Sequence, residues 1–240
     1  MIDIRIACWS GPRNISTALM RSWSSRSDTF VSDEPFYAYY LKETGLNHPM
    51  GDKIINHYST DYQDIIKNIS STIPNNKMIW YQKHMAHHLV NITDLSWIKK
   101  FKNCILIRHP KYVINSYIKK NVLKNVLDLG YPQQYSIIKF LQEEKMKFYI
   151  IDSDDLLDNP EKILSNWCNS LNINFDYKML SWSKGPHKND GIWGKHWYGN
   201  INNSENFSQK KKILSNDYKK FESIYNDSVY YYKKIYNINM

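Results

Sequence analysis

Hydrophobic positions along this chain gather into short runs, and longer stretches with helical spacing lie between them. Residues 4–9, 30–32, 77–82, 103–107 and 147–151 read as strands, the fourth being an almost continuous apolar run. Residues 16–25, 36–44, 62–71, 111–124, 133–145 and 160–171 read as helices. Strands this short, apolar through their length and alternating with helices, predict an α/β protein. The expected architecture is three-layer α/β/α, a central parallel sheet of about five strands with helices on both faces. Asn159-Pro160 supports one helix start, with Asn as N-cap and Pro at the first helical position.

Beyond residue 171 the pattern weakens. Residues 183–206 are polar and rich in Gly and Asn, with Trp193 and Trp197 embedded. They read as a long loop, of the kind that serves as a lid or binding loop. Residues 208–236 read as a closing helix or helix pair. The 240 residues suit a single domain, 1–240, with 42% hydrophobic positions to build its core.

Composition narrows the chemistry. The formal charge of +9 suits anionic ligands, but no nucleic-acid-binding motif accompanies it. Nearly all of the positive charge is Lys; the five arginines are Arg5, Arg13, Arg21, Arg26 and Arg108. A lysine-rich chain that keeps Arg at a few places marks sites where a planar, bidentate donor is useful, as on phosphate or sulfate. Cys8, Cys104 and Cys168 are widely spaced and form no CxxC pair, so neither zinc nor a disulfide framework is expected. The opening MIDIRIACWSG lacks the basic and apolar regions of a signal peptide, and no run is long enough to span a membrane. A cytoplasmic protein without integral membrane association is expected.

Two segments carry the candidate chemistry. After the first strand come Gly11, Pro12, Arg13, Asn14, Ile15, Ser16 and Thr17, and then a helix. A helix N-terminus offers unpaired N–H groups and a positive dipole end; Arg13 and the two hydroxyls add donors. The second Gly and the Lys of a Walker A loop are missing, which disfavours an ordinary ATP or GTP loop. The second segment, Arg108-His109-Pro110-Lys111-Tyr112-Val113-Ile114-Asn115-Ser116, starts at the carboxyl end of the fourth strand. Open α/β sheets bind ligands there. A phosphate fits between Arg108 and Ser116 if the chain bends at Pro110.

Together the two segments resemble the sulfotransferase family that uses 3′-phosphoadenosine 5′-phosphosulfate (PAPS). Pro12, Arg13, Ser16 and Thr17 match its 5′-phosphosulfate loop, with Asn14 and Ile15 in place of Ser-Gly. Arg108, Pro110 and Ser116 match its 3′-phosphate motif. Asp154-Asp155-Leu156, Asn159-Pro160, and Gly191, Trp193, His196 and Trp197 resemble later family segments. Lys188, allowing a one-residue gap, is similar to a lysine that contacts the 3′-phosphate. WSGPRN and DEPFYA are similar to a bacterial-type group within the family.

The resemblance implies a P-loop nucleotide-kinase-like fold. It also implies PAPS as sulfuryl donor, 3′-phosphoadenosine 5′-phosphate (PAP) as product and no metal. The acceptor would be a hydroxyl, or an amine, on a small molecule, carbohydrate or lipid. Arg13 would stabilise the phosphosulfate oxygens. Glu34 and His84 both stand as general base; Glu34 follows the second strand, and His84 follows the third with Lys83 beside it on the leaving-group side. Tyr37, Tyr39, Tyr40 and the histidines after His84 are candidates to line the acceptor pocket. An ATP-dependent kinase and a nucleotide-binding protein without turnover are the alternatives.

Overall fold

Apolar runs and sheet coincide, with boundaries displaced by a few residues. The computed structural model describes residues 3–207 and 215–239. Its strands are β1 (Ile4–Ser10), β2 (Thr29–Asp33), β3 (Ile79–Met85), β4 (Lys102–Ile107) and β5 (Phe148–Asp152). All pair in parallel, in the order β2-β3-β1-β4-β5. From β1 the chain runs to the edge strand β2, returns to β3 between them, and then crosses β1 to β4 and β5 on the other side. The carboxyl ends of β1 and β4 therefore frame a topological switch point, where ligands of such sheets bind.

The helices are α1 (Ser16–Ser24), α2 (Tyr37–Thr44), α3 (Gly51–His57), α4 (Tyr62–Ile69), α5 (Pro110–Tyr117), α6 (Tyr131–Glu143), α7 (Ser153–Asp158), α8 (Pro160–Ser170), α9 (Gly194–Trp197) and α10 (Glu222–Tyr236). On one face of the sheet α1 and α8 pack Leu19, Trp23, Leu164 and Trp167 against Ile6, Cys8, Tyr81 and Cys104. On the other, α4, α6 and α10 pack Ile65, Ile69, Ile138, Leu141 and Ile235 against Ala7, Trp9 and Ile105. Alternate residues of each strand thus serve opposite cores, which is why the strands read as unbroken apolar runs. All three cysteines are buried free thiols.

Three departures from the sequence reading bear on the site. The third strand begins later and runs to Met85, so Lys83 and His84 lie inside it rather than after it. The helix expected over 111–124 ends at Tyr117. Beyond it Leu123 is buried against Val113, Ile114 and Leu129, and an Asn125–Asp128 capping box starts a short 3-10 turn. The polar stretch 183–206 is not a free loop. Trp182 N–H donates to the Glu205 carbonyl at 2.8 Å, Trp193 is 2% exposed, and α9 forms within it. Helices α3 and α7 were not anticipated. Of the expected closing helices, α10 is present, and residues 208–214 lie outside the described residues.

Candidate active site

The loop after β1 is shaped by backbone that few side chains adopt. Arg13 (φ 64°) and Ile15 (φ 56°) are both left-handed, a conformation that costs about 1–3 kcal/mol per non-glycine residue and concentrates at functional sites. Ile15 is the N-cap of α1 and supplies no side-chain hydrogen bond, and the first turn has no acidic residue. The N-terminal N–H groups of α1 are therefore left to a ligand. Asn14 is part of the loop's framework: its Nδ2 donates to the Leu106 carbonyl at 3.1 Å, and Ser153 Oγ donates to the Asn14 carbonyl at 2.8 Å. Gly11 is required by close approach, since a Cβ there would stand 2.2 Å from the Leu129 carbonyl oxygen.

Here the two sequence segments meet. Arg13 Nε donates to Ser116 Oγ at 2.8 Å across 103 positions of chain. Arg108 Nη1 donates to the Arg13 carbonyl at 3.3 Å. Arg108 pairs with Asp154 at 3.4 Å; among the described residues Arg13 has no ion-pair partner. Burial, and secondarily the neighbouring Arg108, push the Arg13 guanidinium below its ordinary value. One arginine paired to a carboxylate and a second without an ion-pair partner, beside an uncapped helix N-terminus, make a site that favours an anion.

A cavity of ≈ 1260 Å³ extends from these groups. Pro12, Arg13, Ile15, Ser16, Thr17, Arg108 and Ser116 line one end. Glu34, Tyr37, Tyr40, His48, Lys83, Met85, His87, His88, Trp197 and Tyr198 are among the residues that line the remainder. Gly11, Asn14, His84 and Lys188 are not among its lining residues. Lys188 is exposed on a loop whose neighbour Asp190 turns inward to Arg21, at 2.7 Å.

Strand periodicity separates Lys83 from His84. Lys83 pairs in register with Cys8 and Asp33, and His84 with Trp9. Paired residues of a parallel sheet share a face and consecutive ones do not. His84 accordingly enters the opposite core. It is 1% exposed, stacks on Trp9 at 4.4 Å and shares a 3.1 Å hydrogen bond with Gln82. Burial pushes its imidazole down to about 3. The structure thus places His84 in the core behind the sheet and not among the residues that line the cavity.

Glu34 stands at the junction of the two ends. It has left-handed backbone (φ 42°), and its N–H donates to the Lys83 carbonyl at 2.9 Å. Burial raises its carboxyl; Lys83 draws it down and Asp33 pushes it up further, the net direction being upward. Lys83 Nζ donates to Glu34 Oε1 at 2.5 Å, to Asp33 Oδ1 at 2.9 Å and to the Tyr198 hydroxyl at 2.7 Å. Tyr198 in turn donates to Asp33 Oδ2 at 2.7 Å, and Gly191 N–H donates to the same oxygen at 3.0 Å.

The remaining wall is aromatic. His88 stacks between Tyr37 (5.0 Å) and Tyr40 (4.6 Å), and the Tyr37 hydroxyl meets His48 Nδ1 at 2.8 Å. Burial first, and His48 second, push His87 to about 3. These histidines are neutral donors or acceptors at physiological pH. Tyr39, also a candidate for this wall, turns to the other core and donates to the Val90 carbonyl at 2.7 Å.

Asp33, Tyr198, His48 and the Arg21–Asp190 pair were not singled out as site residues. Arg21 belongs to the sparse arginine set, and Asp33 directly precedes Glu34. The roles of Tyr198 and His48 depend on contacts that sequence spacing does not encode. Among the described residues no His, Cys, Asp or Glu cluster has the makings of a metal site, and no helix is long and apolar enough to cross a membrane.

A parallel α/β sheet with a phosphate-type loop after its central strand defines a P-loop-like protein. A family model described as a sulfotransferase domain matches residues 4–235, and the chain belongs to that family. It is 34% identical over 207 residues to the branched-chain-amino-acid aminotransferase-like proteins 1 and 2 of Arabidopsis thaliana. The match covers 86% of this chain but only 37% of each relative, so the chain spans little more than a third of their length. Among solved structures, the sulfotransferase domain from the curacin biosynthetic pathway is similar, with TM-score 0.50 and 16% identity over 93% of this chain and 97% of that one. So is a sulfotransferase from Alicyclobacillus acidocaldarius, with TM-score 0.51 and 8% identity over 96% and 94% of the respective chains. At such identities these neighbours speak for the fold.

Proposed function

We propose that the chain transfers a sulfuryl group from PAPS to the hydroxyl, or amine, of a small-molecule, carbohydrate or lipid acceptor, in the cytoplasm, as one domain. The observation that carries the reading is the Arg13–Ser116 hydrogen bond. It joins the loop after β1 to the segment after β4 around the α1 N-terminus, where charge is unbalanced in favour of an anion. Such a pocket suits the phosphate groups of a nucleotide donor.

When bound, PAPS supplies an activated S–O bond. The residues of the chain then divide the remaining work. Glu34 takes the proton from the acceptor hydroxyl as its oxygen bonds to sulfur. The bond from sulfur to the phosphate oxygen breaks, and PAP leaves with the electron pair. Arg13 and the α1 N–H groups meet the charge that gathers on the departing oxygens. The upward shift of Glu34 brings its basicity closer to neutral pH, which suits a general base. Tyr37, Tyr40, His48, His87, His88 and Trp197 line the acceptor end, and the segment 183–206 borders it through Trp197.

The test is ligand stabilisation followed by turnover. PAP at a hundredfold excess over Kd should stabilise the protein by about 2.7 kcal/mol, a Tm rise of roughly 5–10 °C for a chain of this size. ATP with Mg²⁺ should give little. Glu34→Gln should keep the PAP shift and lose about 10²- to 10⁴-fold in turnover. No PAP shift sinks the donor assignment; a Glu34→Gln variant with undiminished turnover removes Glu34 as base.

A further inference from the structure

Lys83 is one of the most buried charges in the chain, and its hydrogen bonds can be counted. An ammonium has three protons. Here they go to Asp33 Oδ1, Glu34 Oε1 and the Tyr198 hydroxyl, all within 2.9 Å, at a residue 1% exposed. The partners are equally committed. Asp33 Oδ2 accepts from Tyr198 and from Gly191 N–H. The Tyr198 oxygen donates once, to Asp33, and accepts twice, from Lys83 and from Trp193 Nε1 at 3.2 Å. That is the full capacity of a hydroxyl. The one carboxylate oxygen without a bond in this network is Glu34 Oε2, on a residue that lines the cavity.

From this we infer that Lys83 serves Glu34 and not the sulfuryl donor: with Asp33 and Tyr198 it is a positioning device that aims the carboxylate and ties the base to the C-terminal segment. The inference rests on the reading of Glu34 as base. Its geometric root is the sheet register, which pairs Asp33 with Lys83 on one face. Glu34 then follows Asp33 through a left-handed turn that brings its side chain to the same ammonium. Two carboxylates against one ammonium leave no positive charge over for a donor phosphate. Tyr37, from α2, and Tyr198 are the hydroxyls at the cavity wall that feel the Glu34 charge, which helps to push both upward. Behind Asp33, the Arg21–Asp190 pair holds the segment that presents Gly191, so the device has a fixed back wall. A lysine dedicated to the donor would have to break one of three short bonds to reach it.

The consequence is a separation of effects. Lys83→Met removes the opposite charge beside Glu34, and Asp33→Asn removes the like charge. The first should move the Glu34 titration to higher pH and the second to lower pH, each by about one unit or more. Both should leave the Kd for PAP within about twofold. The Glu34 midpoint is read from the carboxyl ¹³C shift in glutamate-labelled protein, assigned by the resonance that disappears in Glu34→Gln. Kd is read by calorimetry with PAP. Tyr198→Phe keeps the ring beside Trp193 and deletes only the hydroxyl, so it serves if the buried charge variants do not fold. It should slow sulfate release from PAPS, with water as acceptor, severalfold at unchanged PAP affinity. A Lys83→Met or Tyr198→Phe variant that binds PAP tenfold or more weakly, with the Glu34 midpoint or the rate at saturating PAPS unmoved, places Lys83 on the donor and overturns the inference. Failure of the parent reading looks different: Glu34→Gln then releases sulfate as fast as the unmodified protein, whatever the titrations show.

Discussion

Arg13 joins two roles that are usually assigned to separate residues: it holds Ser116 and lends its carbonyl to Arg108 while its charge stays unpaired. Hydrogen bonds to charged groups are worth about 1.5–3 kcal/mol each. Arg13→Ala should therefore weaken PAP binding about 10- to 100-fold, and Ser116→Ala, which removes a neutral hydroxyl, by less than tenfold. Calorimetric titration with PAP checks both. Equal losses would mean that Arg13 acts only by anchoring Ser116. The residue types were legible in the sequence, because a chain that keeps few arginines placed two of them in phosphate-type segments. His84 was legible in principle too: adjacent residues of one strand face opposite ways, so Lys83 and His84 could not both reach one site once both lay within β3. The strand continues past Gln82 to Met85, and its last residues turn Lys83 and His84 to opposite faces.

At the scale of elements, the loop after β1 depends on how closely it approaches the turn before α6. Gly11 and Gly130 face each other there; Gly130 has φ 78°, and a Cβ on it would stand 3.1 Å from the Gly11 Cα. Gly11→Ala puts a methyl against backbone, which cannot swing aside. Overpacking of this kind costs about 1–3 kcal/mol, so thermal melting should show a Tm lower by several degrees. Because the loop must shift to make room, PAP affinity should fall with it; an unchanged Tm and affinity would show that the turn yields instead. Gly130 is also favoured locally by its left-handed φ, whereas the requirement for Gly11 is not local. Gly11 and Leu129 are far apart in sequence, and only the packing of β1 against the turn before α6 brings them together. The same holds for the segment 183–206, whose composition reads as a loop. Arg21, Asp33 and the Trp182 N–H anchor it, at Asp190, Gly191 and the Glu205 carbonyl, through polar groups that carry no periodic signal.

Over the whole molecule, burial of histidines sets a pH dependence. His84 and His87 are pushed to about 3, and His88 well below its ordinary value, mainly by burial. Unfolded, each titrates near 6.5. Below that pH the unfolded chain binds protons that the folded chain refuses, so stability is complete above about 6.5 and is lost as pH falls toward 3. Asp152 and Asp190 are raised to about 6 by burial and act the other way: the folded state takes up their protons first, and their contribution is lost as pH rises from about 4 to 6. Three imidazoles pushed down against two carboxyls pushed up leave a net loss of stability on acidification. Tm should fall between pH 7 and pH 5. His84→Phe keeps an aromatic ring in the stack on Trp9 and removes one titrating group, so its Tm should fall less steeply over that interval. The same variant should bind PAP like the unmodified protein. A steep fall unchanged by the substitution would place the acid sensitivity elsewhere; lost PAP binding would return His84 to the site.

The sequence by itself determined the alternation of strands and helices, the parallel sheet and the two anion-type segments. Each of these is written in local periodicity or in a short motif that depends on nearest neighbours along the chain. Tertiary structure alone decided which segments meet. It brought Arg13 to Ser116, set Asp33 beside Lys83 by strand register, and carried Tyr198 from the far end of the chain to complete the hydrogen bonds of that lysine. The physical reason is that a buried charge must find partners wherever the fold supplies them. Those partners are chosen by proximity in space, which a linear pattern of polar and apolar residues does not specify.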